Sequence, residues 1–232
     1  MKPTIVCITG MHRSGTSLLA KLMHAMGVYL GEVDDLLGAH PSNPAGHWEH
    51  VKMLDINERL LRANDGTWND PPKVVITASL VSEARELVKR CFDGRPLWGW
   101  KDPRNCLTLD FWREVLDDEP IIVSSVRHPD EVVQSLKARN GTDPYLAAGL
   151  WYTYNGRLSQ QRRYAPERFA AVWYPRLLAD PLDALVRVRR MIPGLRHHGI
   201  QRVAVPEFRH HESYRELQCG EDGLIRSLGI QF

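Results

Sequence analysis

PTIVCITGMHRSGTS, residues 3–17, joins an apolar, β-branched run to a turn holding two glycines and several hydroxyls. The run 3–9 has the character of a strand buried on both faces. A helix is expected from about Thr16 to Gly27, where the glycine makes a natural C-terminal cap. Gly10, Gly15 and Ser17 fit the phosphate-binding spacing G-x-x-x-x-G-K-[ST], but Thr16 stands where the lysine belongs. A strand feeding such a turn into a helix N-terminus makes an anion site, because unpaired backbone N–H groups and the helix dipole converge there. Gly10 and Gly15 let the backbone wrap a phosphate closely, and Thr16 and Ser17 add hydroxyl donors. Arg13 is the one cation in the turn and must replace the lysine.

Outward from this turn the chain alternates strand-like and helix-like stretches. PLWGW (96–100), PIIVSSV (120–126) and FAAVWY (169–174) read as strands. Helical spacing is expected over 49–64, 80–91, 105–116, 129–140, 143–163 and 181–192. Such repeated units predict an α/β fold: one P-loop-like domain over 1–232, a three-layer α/β/α arrangement with a central, mostly parallel sheet. From about 193 the sequence is loop-rich and assigns no element.

Composition bounds the function. A net charge of +2 over 232 residues is too weak to argue for a nucleic-acid partner by itself. No apolar run approaches the roughly 20 residues of a membrane helix. Four cysteines without a C-x-x-C pair read as reduced thiols, and no basic-then-apolar leader precedes the first strand, so a soluble cytoplasmic protein is expected. Nothing in the sequence reports an oligomeric state.

A second cluster, VRHPDEVVQSLKAR (126–139), begins where the strand PIIVSSV ends, the edge at which open α/β sheets bind ligands. On its helix Val132, Ser135, Leu136 and Arg139 share one face, so Ser135 points inward and needs a polar partner. Arg127 and Ser135 are candidates for a second phosphate. Taken alone, a serine bonded back to its helix and a surface ion pair explain the pair better.

Together, HRSGTS and R-x-P-x-x-x-x-x-S resemble the sulfotransferase superfamily, whose donor is 3′-phosphoadenosine 5′-phosphosulfate (PAPS). The resemblance implies that the first motif (Gly10, His12, Arg13, Ser14, Gly15, Thr16 and Ser17) holds the 5′-phosphosulfate, and that Arg127 and Ser135 hold the 3′-phosphate. KDPR (101–104) is similar to the lysine segment of the tyrosylprotein and bacterial carbohydrate branches, implying that Lys101 binds the sulfuryl oxygens. WYPRLLADP (173–181) resembles the family's Y-x-x-L-x-x-x-P segment, with Pro175 in place of the usual acidic residue. NPAGHWE (43–49) resembles a segment of many bacterial members, and the likeness covers roughly residues 3–190. The implied activity is sulfuryl transfer from PAPS to a hydroxyl or amine of an acceptor, leaving 3′,5′-ADP.

A sulfuryl group carries one negative charge and its nucleotide has no β- or γ-phosphate, so no metal is expected. The strand PIIVSSV ends in Arg127 rather than a carboxylate, and LDDE (116–119) has too little apolar sequence before it. Catalysis then rests on positioning and fixed cations, with Arg13 at the leaving 5′-phosphate oxygen. An acceptor hydroxyl must also lose a proton. Among Glu32, His47, Glu49 and His50, the segment match favours Glu49 as base over a helix-capping role, with Glu32 as the alternate. The pairs His197–His198 and His210–His211, and the HWEH run, complete no metal-ligand set. Trp48, Trp68, Trp98 and Trp100 would suit stacking on a sugar or aromatic acceptor. A nucleotide-dependent kinase with a divergent loop, and a non-catalytic nucleotide- or polyanion-binding protein, remain as alternatives.

Overall fold

Four parallel strands lie in the order β2-β1-β3-β4: β1 (Thr4–Thr9), β2 (Leu97–Lys101), β3 (Ile121–Val126) and β4 (Phe169–Trp173). This is a computed structural model, and it describes residues 2–40, 46–196, 200, 203 and 219–230. Each strand is short, apolar and nearly devoid of exposed positions, as a sheet covered on both faces requires. The register sets Ile8 beside Lys101, Thr9 beside Ser124 and Val126 beside Trp173, so all four C-terminal ends open at one edge.

Helices follow the strands in the expected alternation. They are α1 (Thr16–Ala25), α2 (Val51–Arg62), α3 (Ala78–Phe92), α4 (Asn105–Val115), α5 (Pro129–Asn140) and α6 (Pro144–Tyr164). After β4 come α7 (Tyr174–Ala179), α8 (Pro181–Ala184), α9 (Val186–Met191) and α10 (Cys219–Ser227). Alternation along the strands divides the core. Ile5, Cys7, Trp98, Trp100, Ile122 and Phe169 pack toward α2, α3, α4, α5, α6 and α10. Val6, Ile8, Val123 and Val172 pack toward α1, α7 and α9. The result is the three-layer α/β arrangement the sequence predicts.

Several boundaries differ from the sequence reading. The stretch 181–192 is two short helices rather than one, and α7 begins directly at Tyr174, with Pro175 seated in its first turn, where a missing N–H does no harm. Helix α2 starts at Val51 instead of 49, because His50 is still extended and bridges to Leu36. In the stretch past 193, where no element was expected, α10 packs on α6. Trp98 and Trp100 do not reach the cleft at the C-terminal ends of the strands. Their even positions on β2 send both into the core, where Trp98 stacks on Phe92 and Trp100 meets Trp112. Burying side chains of this size stabilises the fold by about 1.5–3 kcal/mol each.

Caps fix α5 and α6. Asp143 accepts from the backbone N–H groups of Tyr145 and Leu146 at the head of α6, worth about 1 kcal/mol. Pro129 opens α5 and Gly141, left-handed at φ 67°, closes it.

Candidate functional site

The glycine-rich turn leaves β1 at Gly10 and enters α1 at Thr16. Gly10 (φ 138°), Arg13 (φ 68°) and Gly15 (φ 87°) all have positive φ, the kind of backbone from which anion-binding nests are built. Both glycines are also demanded by close neighbours. A Cβ on Gly10 would lie 2.3 Å from the backbone oxygen of Ser125, and one on Gly15 would lie 2.1 Å from the Tyr174 ring. The head of α1 has no side-chain cap and no acidic residue in its first turn. Ser14 is buried with its hydroxyl unpartnered, while its carbonyl accepts from the Ser125 hydroxyl. An uncapped helix head beside an unsatisfied buried hydroxyl suits an incoming anion.

The second motif closes on the first. Arg13 Nε donates to Ser135 Oγ at 2.8 Å, which supplies the polar partner expected for the inward-facing serine. Arg127 Nη1 donates to the Arg13 carbonyl at 3.1 Å, and the Arg127 carbonyl accepts from Trp151 Nε1 at 3.0 Å. Arg127 is no surface residue: buried, it forms a two-pronged ion pair with Glu131 at 3.0 and 3.2 Å and lies 4.7 Å from the centre of the Tyr174 ring. Burial and the nearby Arg127 charge lower the pKa of Arg13.

Lys101, the last residue of β2, reaches the same edge. Its ammonium donates to Glu49 Oε1 at 2.6 Å, to the His47 carbonyl at 2.8 Å and to Ser17 Oγ at 3.3 Å. Both Lys101 and Glu49 are buried. Burial pushes the Glu49 carboxyl above the usual range, against the opposing pull of Lys101, and Asp102 adds to the rise. Glu49 does not cap α2, whose cap position is His50; it lies in the extended stretch before it. Asp102 belongs to a different network, pairing with Arg104 at 3.0 Å and accepting from Asn57 at 2.9 Å, which braces the turn after β2.

Trp68 does face this edge. His12 packs against it, tilted by 44° with ring centres 4.5 Å apart, and meets Tyr154 edge-on at 5.8 Å. The Tyr154 hydroxyl donates to the Trp68 carbonyl at 2.7 Å and so pins the loop that carries the indole. His12 is buried with Nε2 unpartnered. Burial, then Arg104 and Arg139, hold its pKa well below the ordinary histidine value. Arg139, one turn beyond Ser135 on α5, lies 5.4 Å from the Trp68 ring centre.

Of the remaining candidates, His47 lies beside Glu49 and Lys101, and Glu32 is placed elsewhere. Glu32 is exposed and binds Tyr29 and Arg95, and Arg95 precedes β2 at the opposite end from Lys101. At about 3.3 Å per residue, the length of β2 separates it from the site. His50 is buried with neither nitrogen partnered, and His47 Nδ1 lies 4.0 Å from Glu49 Oε2. His197, His198, His210 and His211 lie outside the described residues, among which no three His, Cys, Asp or Glu side chains gather as a metal would need. A cavity of about 670 Å³, lined by Phe92, Trp98 and Leu116, opens at the other end of the sheet, away from these groups. The sequence reading left Glu131 unnamed and gave Arg139 no role. The first was legible as an i+4 partner of Arg127, the second as the last residue on the Ser135 face.

A sequence profile described as the sulfotransferase family matches residues 3–194 of the chain. Among solved structures, the sulfotransferase domain from the Synechococcus PCC 7002 olefin synthase aligns with a TM-score of 0.56 at 17% identity, covering 100% of this chain and 96% of that one. The sulfotransferase domain from the curacin biosynthetic pathway aligns at 0.54 and 14% identity, with 99% of each chain covered. At such identities these two likenesses speak for the fold alone. A search of curated proteins returns no match.

Proposed function

The chain belongs to the sulfotransferase family, and from that premise we propose that it transfers a sulfuryl group from PAPS to a hydroxyl or amine of an acceptor. It does so as a single domain and without a metal. The observation that carries this reading is the hydrogen bond from Arg13 to Ser135, which joins the two phosphate motifs at one sheet edge. A loop without the P-loop lysine, yet tied to a second arginine–serine motif, suits a nucleotide with two separate monophosphates better than a triphosphate. The kinase and polyanion-binding alternatives are not favoured.

The roles follow from chemistry and placement. Residues 10–17, with the unpartnered Ser14 hydroxyl and His12 Nε2, hold the 5′-phosphosulfate. Arg127 and Ser135 take the 3′-phosphate, and Lys101 takes the sulfuryl oxygens. As the acceptor oxygen bonds to sulfur, the bond from sulfur to the 5′-phosphate oxygen breaks, and Arg13 stabilises the charge left there. Glu49 accepts the acceptor's proton. When Lys101 exchanges its contact with Glu49 for a sulfuryl oxygen, the carboxylate is released toward the acceptor. Cys7, Cys91 and Cys106 are free thiols, in keeping with the cytoplasm as the compartment, and no nucleic-acid partner is expected.

Titration with 3′,5′-ADP in EDTA, followed by turnover with labelled PAPS and a panel of hydroxyl acceptors, tests the reading. Metal-free binding and transfer are expected. Activity that vanishes in EDTA and returns with magnesium sinks it.

A further inference from the structure

Most cations at this edge already face a carboxylate. Lys101 has Glu49, Arg104 has Asp102 and Glu58, and Arg127 has Glu131. Arg139 is different. Half-buried, it donates Nε to the amide oxygen of its neighbour Asn140 at 2.8 Å and lies over Trp68, and no carboxylate pairs with it among the described residues. Burial and the charges of Arg13 and Arg104 push its pKa down to about 10, with Glu49 the one group pulling the other way. Beside it His12, nine-tenths buried in the same aromatic cluster, keeps Nε2 unpartnered. A guanidinium held half out of water with no counter-charge is costly unless an anion arrives.

Taking the sulfotransfer reading as its basis, we propose that Arg139, with Trp68, forms an acceptor subsite that binds a negatively charged group of the oxyacid type. The acceptor is thus a hydroxyl compound that already carries a carboxylate, sulfate or phosphate. Two features set this subsite apart from the donor groups. Arg139 projects from α5 one turn past Ser135, and it rests on the Trp68 loop rather than on the glycine turn. An anion bound there by the planar guanidinium fork sits in the same electrostatic neighbourhood as Glu49.

The test uses arginine side-chain NMR on the full chain saturated with 3′,5′-ADP, the Arg139 Nε–H signal being assigned through Arg139→Gln. Acetate is titrated, with acetamide as the neutral control. The expected result is a saturable shift of the Arg139 signal with acetate at a dissociation constant on the order of 1 mM, a single-group affinity. Acetamide should leave the signal unmoved. A response that grows without saturating, or one that disappears once 3′,5′-ADP is bound, overturns the proposal. The second outcome makes Arg139 part of the donor site. Failure of 3′,5′-ADP to bind at all strikes the sulfotransfer reading instead, so the two ideas fail separately. In turnover, the anionic members of the acceptor panel should be preferred, and Arg139→Gln should raise their KM by about tenfold or more while leaving the KM of uncharged acceptors unchanged. Equal effects on charged and uncharged acceptors count against the subsite.

Discussion

Lys101 Nζ and Glu49 Oε1 stand 2.6 Å apart with both side chains withdrawn from water. The groups proposed to hold the sulfuryl group and to take the acceptor's proton are thus held against each other before any substrate arrives.

Glu49→Gln should lower kcat by about 10²–10⁴, the usual worth of a general base, with 3′,5′-ADP affinity intact. In the parent protein kcat should rise with pH through an inflection above the ordinary carboxylate range, since burial raises the Glu49 pKa. Lys101→Met removes a charge that lowers this pKa, so the inflection moves to still higher pH. Carbon NMR of the Glu49 carboxyl follows the same shift where turnover is slow. An inflection unmoved by Lys101→Met would show that another group is titrating.

Arg127→Ala should weaken 3′,5′-ADP by about 2–4 kcal/mol, within the range for losing a buried charged hydrogen bond. Binding of 5′-AMP, which lacks the 3′-phosphate, should barely change. Calorimetry on the two nucleotides decides it, and equal losses refute the assignment.

Gly10→Ala and Gly141→Ala both place a side chain at positive φ, yet they should differ sharply. Around Gly141 nothing lies within 4 Å, so strain alone applies, about 1 kcal/mol. At Gly10 the new methyl meets the Ser125 backbone oxygen at 2.3 Å, and β1 or β3 must move. Urea unfolding should place Gly10→Ala well below Gly141→Ala.

Acid should destabilise the fold from about pH 6.5 downward, the ordinary histidine value. His12, His47 and His50 all have lowered pKa values, His47 to about 4, each with burial as the leading cause. Over that window the unfolded chain binds more protons than the native one, so stability falls as pH drops. Glu49 acts oppositely: its raised pKa gives stability that is present at low pH and lost as pH rises through the folded value. Urea midpoints from pH 7 to pH 5 should decline, and less steeply in His50→Leu, which removes a ring whose nitrogens have no partner.

Much of this architecture was legible in the chain. The four strands announce themselves as apolar runs because both faces of the sheet are covered, and the glycine turn because only glycine tolerates its backbone and neighbours. Ser135 could be placed inward from helical spacing alone, though not its partner, which lies 122 positions away. The Glu49–Lys101 pair spans 52 positions and is set by the register of β2 and the extended segment before α2, which no local pattern encodes. Trp98 and Trp100 were misplaced for the same reason: an alternating strand tells that two residues share a face, not which face is the cleft. Helix α7 is too short to show a period.

The two-residue repeat of β2 also governs where the chain can change in length. Trp98 and Trp100 face one layer, while Lys101 meets Ser17 at the head of α1 on the other. One residue inserted between Leu97 and Trp100 would exchange the two faces, pressing an ammonium into hydrocarbon and an indole into the anion site. The same residue inserted at Gly94, where φ is 71° and nothing lies within 4 Å, leaves the strand in phase. Length drift among descendants of this chain should therefore collect in the turn before β2 and be purged from the strand itself.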